Sequence, residues 1–408
     1  MKNKKAFTLV ELLAVIVVIG LLSMLIIPKV TNSINDAEKR TDISSAENLL
    51  NAATYKATND GLDENIIVNY DTNENIEKLD YSGKKPEKGF ISILKDGHVV
   101  MAVKIKNNCY LKRYSSNEIQ IQQYDSETCN APASFETDSW KTISNAVKSG
   151  ETEMYKVGDT RKIAIDTTTI ESPVVNTGSI NRGPVYEYTL RLANKSTPEE
   201  CNNDDFSQTA CGFVIEFADV IARYNMNSNF NGGEHVDGHG NVGGWAACEM
   251  REYVNDKIYN LLPNDLKEVI TETKVISSYG LLDDHNFTTT DKLFLLDLIE
   301  IESENVYNIE DYDTLINHTR QLDYYEQQKI MYDGSTYSNI APQRVMKGYY
   351  SGSEAYGMQY IGMYYWLRTA DLTIKNNFAY ITSNAVNPSI GYQSSPAAFG
   401  VAPAFRLG

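Results

Sequence analysis

A single carboxylate lies within an otherwise uncharged apolar stretch near the start of the chain. Residues 7 to 27 contain one charged side chain, that of Glu11. A carboxylate within a membrane costs roughly 2.5–3.5 kcal/mol or more near the bilayer centre, so a counter-charge is expected. If the chain is cut between Ala6 and Phe7, a new α-ammonium appears four residues before Glu11. The two charges could pair on one helix face, or Glu11 could pair with the Phe7 ammonium of a neighbouring copy.

The element that must position these charges is a long helix. Residues 7 to 27, in helical form, span about 31 Å, the thickness of a bilayer core. Three lysines precede them at positions 2, 4 and 5, which favours a cytoplasmic N-terminus with the remainder of the chain outside. Apolar residues then recur at intervals of three and four to about Thr58. The helix is therefore expected to continue past Pro28, with a kink there, and to dock its second half on a head domain.

The run Lys-Lys-Ala-Phe-Thr-Leu-Val-Glu-Leu-Leu, at residues 4 to 13, resembles the prepilin cleavage and methylation motif of type IV pilins and pseudopilins. The resemblance implies that a prepilin peptidase removes the leader, residues 1 to 6, and methylates Phe7. It also implies that residues 7 to 28 pack with other pilin subunits in a filament core, where Glu11 acts in assembly. Such a protein is in the cell membrane before assembly and in an extracellular pilus afterwards. The family usually has Gly where this chain has Ala6.

Two simpler interpretations of the N-terminus explain less. A secretory signal peptide has a small-residue cleavage site after its apolar core, whereas Pro28, Lys29 and Val30 follow this one. A plain membrane anchor explains the length of the segment but not Glu11. The sequence therefore favours the pilin-like interpretation.

The formal net charge is −17, and removal of three leader lysines would make it −20 (−17 minus 3). An acidic exterior argues against nucleic acid as a partner. All five cysteines follow the apolar segment, on the side of the membrane where disulfides persist. Proximity in sequence pairs Cys109 with Cys129 and Cys201 with Cys211, and leaves Cys248 over; free thiols are the alternative. The first pair resembles the disulfide-closed C-terminal loop of pilins.

Residues 29 to 132 read as the head domain of a pilin. Runs at residues 89 to 94 and 99 to 105 flank Asp96 and Gly97, which is a strong hairpin signal. A further strand is expected at residues 119 to 122. The prediction is an α+β pilin fold, in which the long helix packs on a meander of three or four antiparallel strands.

Residues 133 to 408 are expected to form a larger, second α+β domain. The pattern predicts a short helix at residues 140 to 147, a helical run at 213 to 221, and closing strands at 365 to 368, 378 to 381 and 400 to 407. This region resembles an uncharacterised domain of surface proteins from Gram-positive gut bacteria, through Gly243-Gly244-Trp245 and Trp366-Leu367-Arg368 among other pieces. Its closing strands resemble those of C-type-lectin-like folds.

Little in the second domain points to catalysis. His235 and His239 have the spacing of helical metal ligands, but the glycines around them argue against a helix and therefore against a metal site. No hydrolase or phosphate-loop motif is present, so neither a catalytic residue nor a cofactor is expected. A tyrosine-rich stretch offers a ligand surface, because tyrosine gives large contact area at low entropy cost, although core packing is the alternative. The candidates are Tyr349, Tyr350, Tyr356 and Tyr360.

These observations favour a minor or tip pilin subunit, with a recognition domain for a host or bacterial surface. A pseudopilin of a type II secretion or DNA-uptake apparatus is the nearest alternative. An enzyme carried on a pilin anchor is a third.

Overall fold

The structure is a computed structural model, and it describes residues 8–59, 68–72, 74–126, 128–165, 186–228, 240–302, 315, 317–328, 347–353, 357–382, 390–394 and 397–408. The chain divides into two compact units. Unit 1 is Met1–Ala133 and unit 2 is Ser134–Gly408. The sequence places the corresponding boundary at residue 132.

Unit 1 begins with a helix, α1 (Leu9–Asn59), that is continuous through Pro28. The second half of α1 is amphipathic, and its apolar side packs on a sheet. Ala46, Leu49 and Ala53 are fully buried against side chains of the sheet, among them Ile91 and Met101. Because these residues recur at intervals of three and four, they lie on one face of the helix, and their burial holds this half of α1 against the sheet.

The sheet of unit 1 is an antiparallel meander in which every strand pairs with its neighbour along the chain. Its strands are β1 (Val68–Asp71), β2 (Lys88–Ile93), β3 (Val99–Ile105), β4 (Asn108–Lys112) and β5 (Gln120–Gln123). The predicted hairpin is β2–β3, and Gly97 in its turn has a φ of 82°, which glycine adopts freely. The prediction of three or four strands was too low, because β1 and β4 were not recognised.

The described residues of unit 2 form two five-stranded sheets and two separate strand pairs. The strands of the sheets are β6 (Thr160–Ile165), β7 (Tyr186–Asn194), β8 (Phe213–Phe217), β9 (Ala222–Asn225), β10 (Ile270–Thr271), β15 (Tyr365–Ala370), β16 (Asn377–Ile381), β17 (Ile390–Ser394), β18 (Ala398–Val401) and β19 (Ala404–Leu407). The first sheet has the order β10-β19-β8-β7-β6, and the second has the order β17-β16-β15-β18-β9. Pairing in these sheets is antiparallel except between β15 and β18. The strand pairs are β11 (Thr273–Ser277) with β12 (Phe287–Asp291), and β13 (Lys347–Ser353) with β14 (Gly357–Met363).

Short helices connect these strands. They are α2 (Trp140–Ser149), α3 (Gly244–Ala247), α4 (Glu249–Glu252), α5 (Tyr259–Leu261), α6 (Asn264–Lys267), α7 (Leu298–Ile301) and α8 (Asp323–Gln327). A π-helical segment, Tyr253–Ile258, joins α4 to α5. Ser139 caps α2, since its side chain accepts a hydrogen bond from the Thr142 amide.

Two predictions for unit 2 were wrong. Residues 400 to 407 were expected to form one closing strand, but Ala402 and Pro403 separate β18 from β19, which lie in different sheets, since a proline has no N–H for the strand ladder. The run at residues 213 to 221 was expected to be helical, but its first five residues form β8. All five are buried, so the strand is buried on both faces and lacks the alternation that marks a half-exposed strand. The described parts of the chain therefore combine one long helix with antiparallel sheets, in an α+β fold.

Candidate functional site

The first turn of α1 is closed by Thr8 and Glu11. The Glu11 Oε2 atom accepts hydrogen bonds from the Thr8 amide at 2.9 Å and from the Thr8 hydroxyl at 2.8 Å. The Glu11 amide lies 3.4 Å from the same hydroxyl, which accepts its hydrogen. This is a capping box, in which a threonine and a glutamate three residues apart satisfy amides that the helix leaves unpaired. The Thr-x-x-Glu spacing was a readable signal that the sequence analysis missed.

The first half of α1 exposes apolar side chains on every face. Leu9 is 79% exposed and Ile16 is 60% exposed, and the described apolar residues between positions 9 and 24 are similar. An 18-residue window has a mean hydropathy of 2.9, and none of it is buried. The helix is long and apolar enough to cross a membrane. Apolar surface of this extent must be covered by lipid or by other helices.

Ala6 and Phe7 lie outside the described residues, so pairing between the Phe7 ammonium and Glu11 stays a prediction. The Glu11 side chain itself is exposed. The two hydrogen bonds that it accepts from Thr8 both end on Oε2. The carboxylate is therefore anchored to its own helix through one oxygen.

The four paired cysteines form the disulfides expected from their proximity. Cys109 bonds to Cys129 in unit 1, and Cys201 bonds to Cys211 in unit 2. Cys248 is a buried free thiol, and burial raises its pKa to about 12. It is therefore protonated and unreactive at neutral pH.

The structure describes only part of the tyrosine-rich stretch. Tyr349, Tyr350 and Tyr360 fall in β13 and β14, but their side chains are outside the described part of the chain, as is the whole of Tyr356. Beside them, Tyr364 is 41% exposed, and its ring contacts Tyr380 in a tilted arrangement and Phe399 edge-on, whereas Tyr365 is buried. The proposed ligand surface stays a prediction.

Two buried ionic clusters of unit 2 were not foreseen. In the first, Glu216 of β8 binds four donor atoms. Its Oε1 accepts from Arg191 at 2.6 and 2.9 Å, and its Oε2 accepts from the Tyr325 hydroxyl at 2.8 Å and from the Lys347 ammonium at 2.7 Å. Burial alone would raise the pKa of Glu216, but Arg191 and Lys347 outweigh it and lower the pKa to about 2.

The second cluster surrounds Arg368 of β15. Its guanidinium donates to both carboxylate oxygens of Glu300, at 2.7 and 2.6 Å. Asp297, which caps α7, is also fully buried. Burial raises the pKa of Asp297 to about 6 against the opposing pull of Arg368. Both clusters are closed networks of ions, and such networks perturb pKa values without catalysis.

His235 and His239 also lie outside the described residues. Within the ranges that the structure does describe, no three His, Cys, Asp or Glu side chains are grouped so that they could hold a metal ion.

Comparison with known families bears on the N-terminus. A family model described as the prokaryotic N-terminal methylation motif matches residues 1–27. The chain has a type IV pilin-like N-terminus. This motif implies processing by a prepilin peptidase and assembly with other pilins, and it suggests a membrane-anchored, surface-exposed protein. In this pilin-like terminus, the capping box of Thr8 and Glu11 lies directly after the predicted processing site.

A second family model, described as a domain of unknown function (DUF6273), matches residues 220–408. Those residues form most of unit 2, including all of its second sheet. No curated protein and no solved structure matches the chain.

Proposed function

We propose that this protein is a minor or tip subunit of a type IV pilus, and that unit 2 recognises a ligand on a host or bacterial surface. The observation that carries the proposal is the bare apolar half of α1, which lies within a methylation motif and begins with the capping box of Thr8 and Glu11. A helix with no covered face needs neighbours, and a filament core provides them. The small antiparallel sheet on the second half of α1 supports a pilin head.

Assembly depends on the Glu11 carboxylate. The prepilin peptidase removes residues 1 to 6 and methylates Phe7, and the new ammonium neutralises Glu11 in the same chain or in a neighbour. The Thr8 hydroxyl orients the carboxylate by holding Oε2, so the pairing partner approaches a fixed target. Removing either charge would leave the other unpaired in an apolar surrounding, which is strongly unfavourable.

The size of unit 2 supports a minor position. It contains 275 residues (134 to 408), about twice as many as unit 1, and it would crowd a filament if every copy carried it. The acidic chain, with a net charge of −17, adds repulsion between copies. A few copies, or one at the tip, avoid both problems.

Unit 2 acts in recognition, without catalysis or a cofactor, and its resemblance to C-type-lectin-like folds belongs to this proposal. The exposed Tyr364 beside the tyrosine-rich pair β13–β14 supports a ligand surface. Deleting the gene should reduce adherence to a surface while leaving major-pilin filaments in place. Loss of protein secretion or DNA uptake, with normal adherence, would favour a pseudopilin instead.

Three variants separate charge from capping at Glu11. Glu11→Gln removes the charge but keeps an oxygen that can accept from the Thr8 amide. Glu11→Ala removes both, and Thr8→Ala removes the hydroxyl but keeps the charge. If charge pairing drives assembly, Glu11→Gln and Glu11→Ala should both remain in the membrane and be absent from sheared filaments, whereas Thr8→Ala should be incorporated.

Glu47→Gln is the matched control, since Glu47 is an exposed glutamate in the second half of the same helix. It should be incorporated normally. Mass spectrometry of the filament fraction should find methylated Phe7 as the first residue. Normal incorporation of Glu11→Gln would refute the role of the charge, and a different N-terminal residue would refute the processing step.

A further inference from the structure

Unit 2 contains a cavity of about 490 Å³, and no residue of its two five-stranded sheets or of its two ionic clusters lines this cavity. One wall is formed by residues 246 to 259, which include the π-helical segment, and the other by Glu272 and by the end of β12 with Lys292. All of its lining residues fall in the stretch 240–302, which is described without a gap. Its volume is in the range of small-ligand sites, about 300–1,000 Å³.

Hydrogen bonds hold the wall of the cavity rigid around Asp291. The Asp291 carboxylate accepts from the Trp245 indole N–H at 3.0 Å, from Arg251 Nε at 2.7 Å and from the Thr289 hydroxyl at 2.7 Å. The carboxylate is buried. The bond to Asp291 holds the Arg251 side chain in place at the wall of the cavity. A charged group that is fixed before binding loses little entropy when a ligand binds.

The helical wall is π-helical where it meets the strand. Asn255, inside the segment Tyr253–Ile258, accepts from the amides of Lys292 and Leu293 at 2.9 Å each and donates to the Leu293 carbonyl at 2.8 Å. Single turns of π-helix are rare and occur frequently at functional sites. Here the widened turn joins the helix to Lys292 and Leu293, directly after the end of β12.

Two cations that line the cavity have N–H groups available to bind a ligand. Arg251 commits its Nε to Asp291, but its Nη1 and Nη2 lie 3.4 and 3.5 Å from the carbonyl oxygens of Ala246 and Thr290, at the limit of hydrogen bonding. The Lys292 ammonium donates to the Ile270 carbonyl at 3.2 Å and has no ion pair among the described residues. The outer edge of a guanidinium matches a carboxylate with two parallel hydrogen bonds.

Two carboxylates also line the cavity without a counter-charge. Glu252 and Glu272 are exposed, and neither forms an ion pair with any residue that the structure describes. The lining also includes the methyl groups of Ala246 and Ala247 and the ring of Tyr259, which provide apolar surface. The cavity therefore presents cations for an anionic group and carboxylates for a cationic group.

We propose that this cavity binds a small zwitterion, an amino acid or a short peptide, with its carboxylate on Arg251 and Lys292 and its ammonium on Glu252 and Glu272. The inference deepens the recognition role proposed for unit 2 and rests on it. A phosphate or another simple anion would lie beside two unpaired glutamates, and a neutral sugar would leave Lys292 and both glutamates without a counter-charge. Only a ligand with both charges matches the site.

The test is isothermal titration of the full chain in detergent micelles with four probes. Trialanine carries both charges, trialanine amide lacks the carboxylate, N-acetyl-trialanine lacks the ammonium, and N-acetylneuraminic acid is a carboxylated sugar. Trialanine should bind saturably at millimolar concentration or below, and the other three at least tenfold more weakly. Equal binding of either blocked peptide, tighter binding of the sugar, or no binding of trialanine would overturn the proposal.

Alanine, titrated in parallel, distinguishes a free amino acid from a peptide as the natural source. Tighter binding of alanine supports a free amino acid, and tighter binding of trialanine supports a peptide; both support a zwitterion site.

Variants with matched controls locate the site. Glu272→Gln and Lys292→Gln should each weaken trialanine binding at least tenfold. Glu268→Gln and Lys257→Gln remove the same charges from exposed positions outside the cavity lining and should leave binding unchanged. Arg251→Lys keeps a cation beside Asp291, so the fold survives, and it should still weaken binding because the two-pronged contact is lost. Equal binding by all variants would overturn the assignment.

Failure of this inference can be told from failure of the proposed function. A chain that binds no zwitterion but still enters filaments and supports adherence would refute the cavity alone. A chain that binds trialanine but is incorporated into filaments without Glu11 would refute the assembly proposal alone.

Discussion

Replacing Glu216 with Gln removes the one negative charge at the centre of its buried cluster. The Glu216 side chain is fully buried, and the Lys347 side chain is only 1% exposed. After the replacement, Lys347 and Arg191 lose the carboxylate that both of them bind. We expect unit 2 to lose a large fraction of its stability.

The size of the loss follows from the structure. A pKa lowered from 4.5 to about 2 corresponds to about 3 kcal/mol of stabilisation of the charged form, at roughly 1.4 kcal/mol per pKa unit. Breaking a buried ion pair by removing one partner typically costs about 3–5 kcal/mol. For a unit of this size the melting temperature should fall by about 6–20 °C, at roughly 2–4 °C per kcal/mol.

Tryptophan fluorescence reports this unit selectively. The chain has three tryptophans, Trp140, Trp245 and Trp366, and all three belong to unit 2. Denaturant unfolding of the full chain in detergent, monitored by tryptophan fluorescence, should show the loss of stability for Glu216→Gln. Glu187→Gln is the control, because Glu187 pairs with Lys162 at an exposed position on the neighbouring strand, and exposed pairs contribute little.

A double variant tests the cause. Adding Lys347→Met to Glu216→Gln removes the unpaired buried ammonium, so it should restore part of the lost stability. Arg191 retains its stacking on Tyr324, 3.8 Å from the ring centre, and some exposure to water. A loss below about 1 kcal/mol for Glu216→Gln, or further destabilisation by Lys347→Met, would contradict the reasoning.

Acid provides an independent check. The pKa of Glu216 is lowered in the folded state, so its stabilisation is present above the unfolded value and is lost as the pH falls. The difference in the free energy of unfolding between the wild type and Glu216→Gln should therefore shrink as the pH falls from about 4.5 towards about 2. A constant difference over this range would show that the charge is not the cause.

Asp297 should behave in the opposite way: because burial raises its folded pKa to about 6, the stability of the wild type relative to Asp297→Asn should fall as the pH rises from about 4 through 6. Denaturant unfolding at several pH values measures the stability of both proteins. If the stability of the wild type and that of Asp297→Asn changed equally with pH, the prediction would be contradicted. Replacing Cys109 and Cys129 together with serine should cost unit 1 about 3 kcal/mol through the freer unfolded chain, measured by hydrogen exchange of unit 1 peptides. The corresponding change at Cys201 and Cys211, whose sequence separation is 10 rather than 20, should cost unit 2 about 0.6 kcal/mol less, and a larger loss there would contradict the loop-length argument.

Elements with a strong local signal could be predicted from the sequence. The helix α1 follows from its apolar spacing, the hairpin β2–β3 from its Asp-Gly turn, and α2 from its amphipathic run. The strand β4 was missed because the chain turns through Lys106, which adopts a φ of 55° without being glycine. β8 was mistaken for a helix because a strand that is buried on both faces shows no alternation.

The buried ionic clusters could not be predicted, because their partners are distant in sequence. Glu216 and Lys347 are 131 residues apart, and Glu300 and Arg368 are 68 residues apart. Charged residues are on average exposed, so no local pattern marks those that a fold will bury. The cavity beside Arg251 likewise depends on β12 lying against the helical wall, which only the folded arrangement shows.

The two strands nearest the C-terminus hold interior places in both large sheets of unit 2. β18 lies between β15 and β9, and β19 lies between β8 and β10. Neither sheet can be completed until these strands are present, although β6, β7 and β8 come well before them in the chain. During folding, the strands on either side of β18 and β19 therefore keep unpaired edges until residues 398 to 407 are added. Unpaired strand edges can pair with other chains, so the last step of folding is also the one that protects unit 2 from aggregation.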